Sequence, residues 1–309
     1  MKDSAIVPRS TPVLGHGVAW GGLGVLAFSF TMPFSVVAIP AFGAVTVGLG
    51  RAVPAAVLAA VCLLAAKTPL PSVAQWRRLA LVALGVVVGF PLCSSLALRD
   101  TTSAHGAILV GLLPAATAAL AVVRAGERPK WQFWLACAFG MATVLVFAVV
   151  QGAGQLTVAD LWLLAAVGAA ALGYTEGGAL ARELGGWQVI SWALLLTLPV
   201  VVPVTLLNLP ATWHAPSANA WLCFGYLSAV SMFAGFFAWY RGLALGGIAK
   251  ISQLQLLQPV LTLCWSALLL SEYIGPATAG AAVLVIAAVA VTQRTRGRSD
   301  PRPEPGVAR

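Results

Sequence analysis

The sequence predicts an all-α polytopic membrane protein with ten transmembrane helices, arranged as two inverted five-helix repeats. Three observations lead to this fold class. Of the 309 residues, 60% are hydrophobic and only 9% are charged, whereas an ordinary soluble domain carries about a quarter charged residues. The apolar residues form long uninterrupted runs, and one pattern of rarer residues occurs twice, 145 positions apart.

Long apolar runs define the predicted helices, because about 20 mostly apolar residues cross the hydrocarbon core of a bilayer. The loops between the runs are short, so no separate soluble domain is expected. The runs are 16–38, 43–66, 77–97, 103–123, 131–150, 159–181, 188–207, 219–240, 250–270 and 275–292.

These runs divide the chain into four parts. Residues 1–15 form an N-terminal segment that is expected in the cytoplasm, residues 16–150 the first repeat and residues 159–292 the second. Residues 293–309 are basic and rich in proline. That composition predicts a disordered cytoplasmic tail.

The distribution of lysine and arginine predicts the orientation. With the N-terminus in the cytoplasm, sixteen of the 18 basic residues lie at or near the inner face, while Arg99 lies outside and Arg51 within a span. Because positive residues are retained on the cytoplasmic side, both termini are expected in the cytoplasm, with the chain in the inner or plasma membrane. The net charge of +9 then reflects topology, and its scattered distribution excludes a nucleic-acid partner.

The repeated pattern joins "GLLPAATAALAVVRAGER" (111–128) to "LLQPVLTLCWSALLLSEY" (256–273). Pro114 aligns with Pro259, and Glu127 aligns with Glu272. The same offset places the first five spans on the last five, and because five is odd, the second half must enter the membrane from the opposite side. Inverted repeats of this kind are typical of secondary transporters.

Two longer stretches, "AILVGLLPAATAALAVVRAGERP" and "SQLQLLQPVLTLCWSALLLSEY", resemble the EamA domain of the drug/metabolite transporter superfamily. "GLGRAVPAAVLAA" resembles the second helix of that family, with its arginine at Arg51. The resemblance covers residues 16–292 and implies a ten-helix transporter with the substrate path between the repeats. It also implies export of amino acids or related metabolites. The second repeat departs from the pattern, because Leu196 stands in the place of Arg51.

Three residues within spans are candidates for substrate binding or coupling. Glu176 lies beside Tyr174 in the sixth span, where an acid costs about 2.5–3.5 kcal/mol on insertion scales. It is therefore expected to face a cavity or a partner, unless it reaches the interface, and it could bind a cation or carry a proton. Arg51 could pair with Glu176, hold an anionic group such as a carboxylate, or lie at the outer interface.

The start of the ninth span supplies three more candidates. Lys250 would suit an anionic substrate, although the retention of positive residues in the cytoplasm explains it more simply. Gln255 and Gln258 precede Pro259, and such amides either face a cavity or bridge neighbouring helices.

The paired prolines and glutamates of the repeat have different predicted roles. Pro114 and Pro259 each leave the carbonyl four residues earlier without a hydrogen bond, so each predicts a kink, either beside the substrate path or for helix packing. Glu127 and Glu272 each end a span and are expected to be structural, as a cap or an ion-pair partner. "GVAWG" (17–21) and "GVVVG" (85–89) are small-residue patterns that permit close helix approach.

Several activities lack any signal in the sequence. No G-x-x-x-x-G-K-[ST] loop is present, so ATP hydrolysis is not expected, and no cluster supplies catalytic residues, a metal site or a cofactor. The interpretation is a secondary transporter for small organic metabolites that works by alternating access, with proton coupling through Glu176 as a hypothesis. Two alternatives stay open: uptake or exchange of an anionic metabolite, and a non-transporting scaffold or sensor. The expected partners are a small-molecule substrate and the lipid bilayer, and a homodimer is left open.

Overall fold

The computed structural model describes residues 11–125, 131–151, 155–209, 215–246 and 251–295. All regular elements in these ranges are helices. Eight of them are long and apolar enough to cross a membrane: α1 His16–Phe42, α2 Thr46–Ala65, α3 Val73–Ala97, α4 Ser103–Val123, α5 Trp131–Gln151, α6 Val158–Leu184, α7 Gly186–Leu207 and α8 Ala218–Gly246. Two shorter apolar helices follow, α9 Leu254–Leu270 and α10 Pro276–Val291.

The eight long helices overlap the first eight predicted spans. The predicted count of ten is larger than the number of long apolar helices in the described ranges, because the apolar parts of α9 and α10 have at most 17 residues each, although the helix of α10 continues to Thr295. The start of α9 overlaps a 3-10 helix, Ser252–Leu256.

Helix packing joins the two halves of the chain in a repeated pattern. Many contacts join helices of different halves, among them those of α1 with α8, α3 with α6, α2 with α7, α4 with α9, and α5 with α10. Each pair takes one helix from each half. Under the 145-residue offset, the α1–α8 pair becomes the α6–α3 pair, and the other three pairs become themselves. The packing therefore follows the same repeat as the sequence.

Glycines allow the closest of these contacts. A Cβ added at Gly17 would lie 2.7 Å from the backbone nitrogen of Gly246, where α1 crosses α8. A Cβ at Gly85 would lie 2.5 Å from the carbonyl oxygen of Ala169, where α3 crosses α6. Both small-residue patterns in the sequence therefore lie at helix crossings, as predicted.

Three long helices contain a stretch of π-helix. These stretches are Thr46–Gly50 in α2, Ala83–Gly89 in α3 and Leu227–Ala234 in α8. The second and third lie at equivalent positions of the two halves, since 83 and 228 are 145 apart. Such insertions change which way the following side chains point and are frequent at functional sites.

The two repeated prolines follow helix breaks at equivalent positions. α4 is interrupted at Gly111 and Leu112, and Pro114 is the second residue of the segment Leu113–Ala125. In α9, the 3-10 turn ends at Leu256 and Pro259 is the third residue of the segment Leu257–Leu270. Proline fits the first turn of a helix, because its missing N–H would have no intrahelical partner there.

Candidate functional site

Two small adjoining cavities lie where the two halves of the bundle meet. They share Phe28, Thr31, Phe90 and Gln258. The first cavity is further lined by Met32, Ala107, Val110, Leu113, Pro114, Gln255, Pro259 and Thr262. The second is further lined by Arg51, Val86, Pro91, Tyr174, Ser231, Met232 and Phe236.

The cavities are closed in this conformation. The space open to the centre of a water molecule is about 10 Å³ in the first and about 20 Å³ in the second. That is room for one or two water molecules. An organic molecule could enter only after the surrounding helices move.

Equivalent positions of the two halves contribute to the lining of the same cavities. Each pair is separated by 145 positions, and in three pairs the second half contributes a polar side chain where the first has an apolar one. The pairs are Val110 with Gln255, Leu113 with Gln258, Pro114 with Pro259, Val86 with Ser231, and Pro91 with Phe236. The cavities therefore lie on the boundary between the repeats, and the chemistry of their walls is asymmetric.

Arg51 directly follows the π-helical stretch of α2 and lines the second cavity. The residue is 2% exposed. Its Nε and Nη1 atoms have no hydrogen-bond partner among the described residues. No described carboxylate lies within 4.0 Å of it. Arg51 and Glu176 are therefore not paired in this structure, and Arg51 is buried among other helices rather than exposed at the protein surface.

Aromatic side chains form one wall of the second cavity. The ring of Tyr174 lies 6.4 Å from that of Phe28 and 6.0 Å from that of Phe236, measured between ring centroids. These three rings come from α6, α1 and α8. The sequence predicted Tyr174 as a site residue, and the structure places it beside Arg51 in the lining of the same cavity.

The two glutamines of α9 supply amides to the first cavity. Gln255 is 2% exposed, and neither its Oε1 nor its Nε2 has a hydrogen-bond partner among the described residues. Gln258 reaches both cavities. An amide with open donor and acceptor positions can bind a polar group of either kind.

Sequence reasoning missed the hydroxyl groups of the site. Thr31 lines both cavities, and its Oγ1 lies 2.7 Å from the Oγ of Ser231. Thr262 lines the first cavity and donates from Oγ1 to the carbonyl oxygen of Ser29 at 2.9 Å. A threonine within an apolar run is a weak signal, because its hydroxyl can bond to its own helix backbone.

Glu176 is not part of either cavity lining. It is 1% exposed, and its Oε2 lies 3.5 Å from the Nε of Arg78 on α3. Arg78 also pairs with Glu183 through Nη1 and Oε1 at 2.5 Å. Tyr174 and Glu176 are about 200° apart around α6, so only Tyr174 points to the cavity. The structure thus gives Glu176 a partner at one end of the α3–α6 contact.

Glu272 caps a helix of the other half of the chain. Its carboxylate accepts hydrogen bonds from the backbone N–H groups of Ser103 at 3.0 Å and Ala104 at 2.8 Å, in the first turn of α4. Carboxylates are stabilising at this position, because the first N–H groups of a helix lack partners and carry partial positive charge. In this structure Glu272 therefore caps α4, a helix of the other half, and not α10, the next helix in the chain.

A second polar contact lies in the same turn of α4. The Nε2 of His105 is 2.6 Å from Oδ1 of Asp160 at the start of α6. The other oxygen of Asp160 accepts from the backbone N–H and hydroxyl of Thr157. Glu127 and Lys250, the remaining predicted residues, lie outside the described residues.

Comparisons with known proteins agree with this architecture. The model of the EamA-like transporter family matches residues 15–149 and again residues 157–294. The uncharacterized transporter YdeK of Bacillus subtilis (strain 168) is 44% identical over 274 residues, which are 89% of this chain and 96% of that protein. A solved crystal structure with 18% identity has the same fold, with a TM-score of 0.62 over 89% of this chain and 97% of the other. The chain is thus a multi-pass membrane protein, and it belongs to the EamA-like transporter family.

Proposed function

We propose that the protein is a secondary transporter of small organic metabolites that works by alternating access. One observation carries this proposal: the central cavities are lined by equivalent residues of the two halves. When two related halves rock against each other, a site on their boundary can open first to one side of the membrane and then to the other.

The proposed arrangement is ten membrane helices in two inverted repeats, with both termini in the cytoplasm of the inner or plasma membrane. The paired packing of α4 with α9 and of α5 with α10 supports counting the two shorter helices as spans. The lysine and arginine distribution supports the orientation.

The contacts at the two ends of α6 support an occluded state in this cycle. At the start of α6, Asp160 contacts His105. Toward its other end, Glu176 and Glu183 contact Arg78. Both contacts join α6 of the second half to a helix of the first, so we expect each set to separate when the cavity opens at that end.

Export of amino acids or related compounds is the proposed direction and substrate class, and it rests on family resemblance. Proton coupling through Glu176 would act through its contact with Arg78. Protonation removes the negative charge of the carboxylate, and this weakens its attraction to the guanidinium. Binding of a proton would then favour separation of α3 from α6.

The test is counterflow in proteoliposomes made from the full chain. Vesicles loaded with a mixture of unlabelled amino acids should accumulate labelled ones transiently and with saturation. Uniform leakage without counterflow would indicate a channel, and the absence of flux would favour a scaffold or sensor. Flux should depend on pH in the wild type and lose that dependence in Glu176→Gln but not in Glu183→Gln; unchanged pH dependence in both would reject coupling through Glu176.

A further inference from the structure

We infer that Arg51 binds a carboxylate of the transported substrate within the second cavity, while the apolar part of the substrate lies against the aromatic wall. The inference rests on the proposed transport function, because it names the chemical class that the same cavity carries. It assigns to Arg51 a specific role in recognition that its position in a membrane span alone does not give.

The guanidinium of Arg51 is a buried cation at the wall of the second cavity. Arg51 is 2% exposed, and its Nε and Nη1 atoms lack hydrogen-bond partners among the described residues. A buried cation without a partner is strongly unfavourable. Retaining one at the wall of a cavity is therefore physically reasonable if an anion binds there during the cycle. The planar guanidinium fits a carboxylate with two parallel hydrogen bonds.

The described acids are all placed elsewhere, so none is the counter-ion. Asp160 contacts His105, Glu176 and Glu183 contact Arg78, and Glu272 caps α4. Asp100, the remaining described acid, is exposed. An anionic partner of Arg51 would then come from outside the described part of the chain, and a substrate carboxylate fits that role.

The rest of the lining limits what accompanies the carboxylate. Phe28 and Phe90 contact both cavities, and Tyr174 and Phe236 extend the aromatic wall beside Arg51. This wall favours an apolar or aromatic portion over a second charge. No described acid lines either cavity, so a purely cationic ligand has no charged partner there.

Plain carboxylic acids and amino acids both carry this carboxylate. They differ in the ammonium group of the amino acid. No described acid in the cavity lining could pair with this group, but it could donate a hydrogen bond to Oε1 of Gln255. Three probes with the same skeleton separate these features: 3-phenylpropionate, L-phenylalanine and the neutral 3-phenylpropionamide.

The experiment measures the unfolding midpoint of the full chain in lipid nanodiscs, in a buffer free of carboxylates, with and without each probe. Both acids should raise the midpoint of the wild type, because a ligand that binds only the folded state stabilises it. The neutral amide should not. A larger effect of phenylalanine would indicate that its ammonium group contacts the amide of Gln255. A larger effect of phenylpropionate would indicate that the site prefers carboxylic acids without an ammonium group.

Arg51→Met should abolish the response to both acids, which corresponds to a loss of about ten- to a hundred-fold in affinity for charged hydrogen bonds of ordinary strength. Without any probe, its midpoint should be higher than that of the wild type, because an unpaired buried charge has been removed. Arg51→Lys should keep part of the response, since lysine keeps the charge but not the paired geometry. Arg99→Met is the control, because Arg99 is exposed.

Three results would overturn the inference: no response of the wild type to either acid, an equal response to the neutral amide, or a lower midpoint of Arg51→Met in the absence of probes. A counterflow measurement distinguishes failure of the carboxylate site from failure of the transport proposal. Carboxylate binding through Arg51 without counterflow would reject transport alone. Counterflow that Arg51→Met leaves unchanged would reject the carboxylate site alone.

Discussion

Glu176 and Glu183 contact the same arginine but differ in burial. The side chain of Glu176 is 1% exposed and that of Glu183 is 48% exposed. Replacing Glu176 with glutamine should lower the free energy of unfolding by about 1–3 kcal/mol, the usual effect of disturbing a buried charged contact. Glu183→Gln should change it by less than about 1 kcal/mol, because exposed ion pairs contribute little. Denaturant unfolding of both variants in one detergent measures the difference.

Arg78→Met provides the control for this comparison. If the contact with Arg78 carries the effect, the second substitution Glu176→Gln should change stability less in the Arg78→Met background than in the wild type. Equal destabilisation by the two glutamate variants in the wild-type background would contradict a special role for the buried carboxylate.

Glu272 gives a second prediction at this scale. Its carboxylate accepts from two backbone N–H groups of α4. Glu272→Ala should therefore lower the free energy of unfolding by about 1–2 kcal/mol, as the loss of a helix cap does, and Glu272→Gln by less. Thermal unfolding checks both values. Tyr273→Ala is a matched control, because this neighbouring side chain is 87% exposed; an equal loss in the control would show that the turn itself, and not the cap, is sensitive.

Individual residues differ in how far the sequence could predict their surroundings. The sequence shows how deep a residue lies within a span, and this was enough to single out Arg51, Tyr174 and Gln255. It does not show which face of a helix meets the other half of the chain, so Glu176 could not be separated from the cavity residues. The cap on Ser103 by Glu272 spans 169 positions, and no local pattern specifies a partner at that distance.

At the scale of helices, the approximate positions of the first eight spans were predictable, and their exact ends and internal irregularities were not. The predicted start of α3 at residue 77 is later than the observed start at Val73. A capping box at Ser72 and Gln75 marks the observed start, and the sequence carries this signal as S-x-x-Q. The π-helical stretches have no comparable signal, because they arise from tertiary packing rather than from local preference.

The contact between α3 and α6 can be tested through its glycines. Gly85→Ala should lower the free energy of unfolding by about 1–3 kcal/mol, because the added Cβ would lie 2.5 Å from the carbonyl oxygen of Ala169 and overpacking of this kind forces the backbone to shift. Gly168→Ala is the matched control on α6, since no atom lies within 4 Å of its added Cβ. It should be neutral or stabilising by up to about 1 kcal/mol, from helix preference.

Unfolding of the two alanine variants by heat, followed by circular dichroism, distinguishes them. If Gly85→Ala is as stable as Gly168→Ala, the helices can separate at this crossing without loss, and the close approach is not required. If Gly168→Ala is the less stable variant, contact with lipid rather than contact between helices determines how these glycine substitutions change stability.

Across the whole molecule, the polar contacts described above join one half of the chain to the other at both ends of the bundle. At the end that carries Glu272, the Oγ atoms of Ser103 and Ser266 are also 2.9 Å apart, and both residues are fully buried. If the protein works by alternating access, as proposed above, this end must open in one state of the cycle to connect the closed cavities with that side of the membrane.

A disulfide between positions 103 and 266 tests that requirement. The Oγ atoms of Ser103 and Ser266 are 2.9 Å apart, so we expect cysteine sulfurs at these positions to come within bonding distance. The double variant Ser103→Cys/Ser266→Cys would be made in a background in which the five native cysteines are replaced. After oxidation it should unfold at a higher temperature, with a gain of about 2–4 kcal/mol, and counterflow should fall to the background of empty vesicles. Reduction should restore the flux, because the backbone and the cavity lining are unchanged.

The two single-cysteine variants are the controls, and oxidation should leave their flux unaltered. Cross-linking is measured separately by cutting the loop between the halves with a protease and comparing the electrophoretic mobility of the products with and without reductant. Cross-linked halves stay together until the disulfide is reduced. A fully cross-linked protein that still exchanges substrate would contradict opening at this end. The motion would then have to expose the cavities by another route, since α4 and α9 supply most of the first cavity wall and would be held together there throughout the cycle.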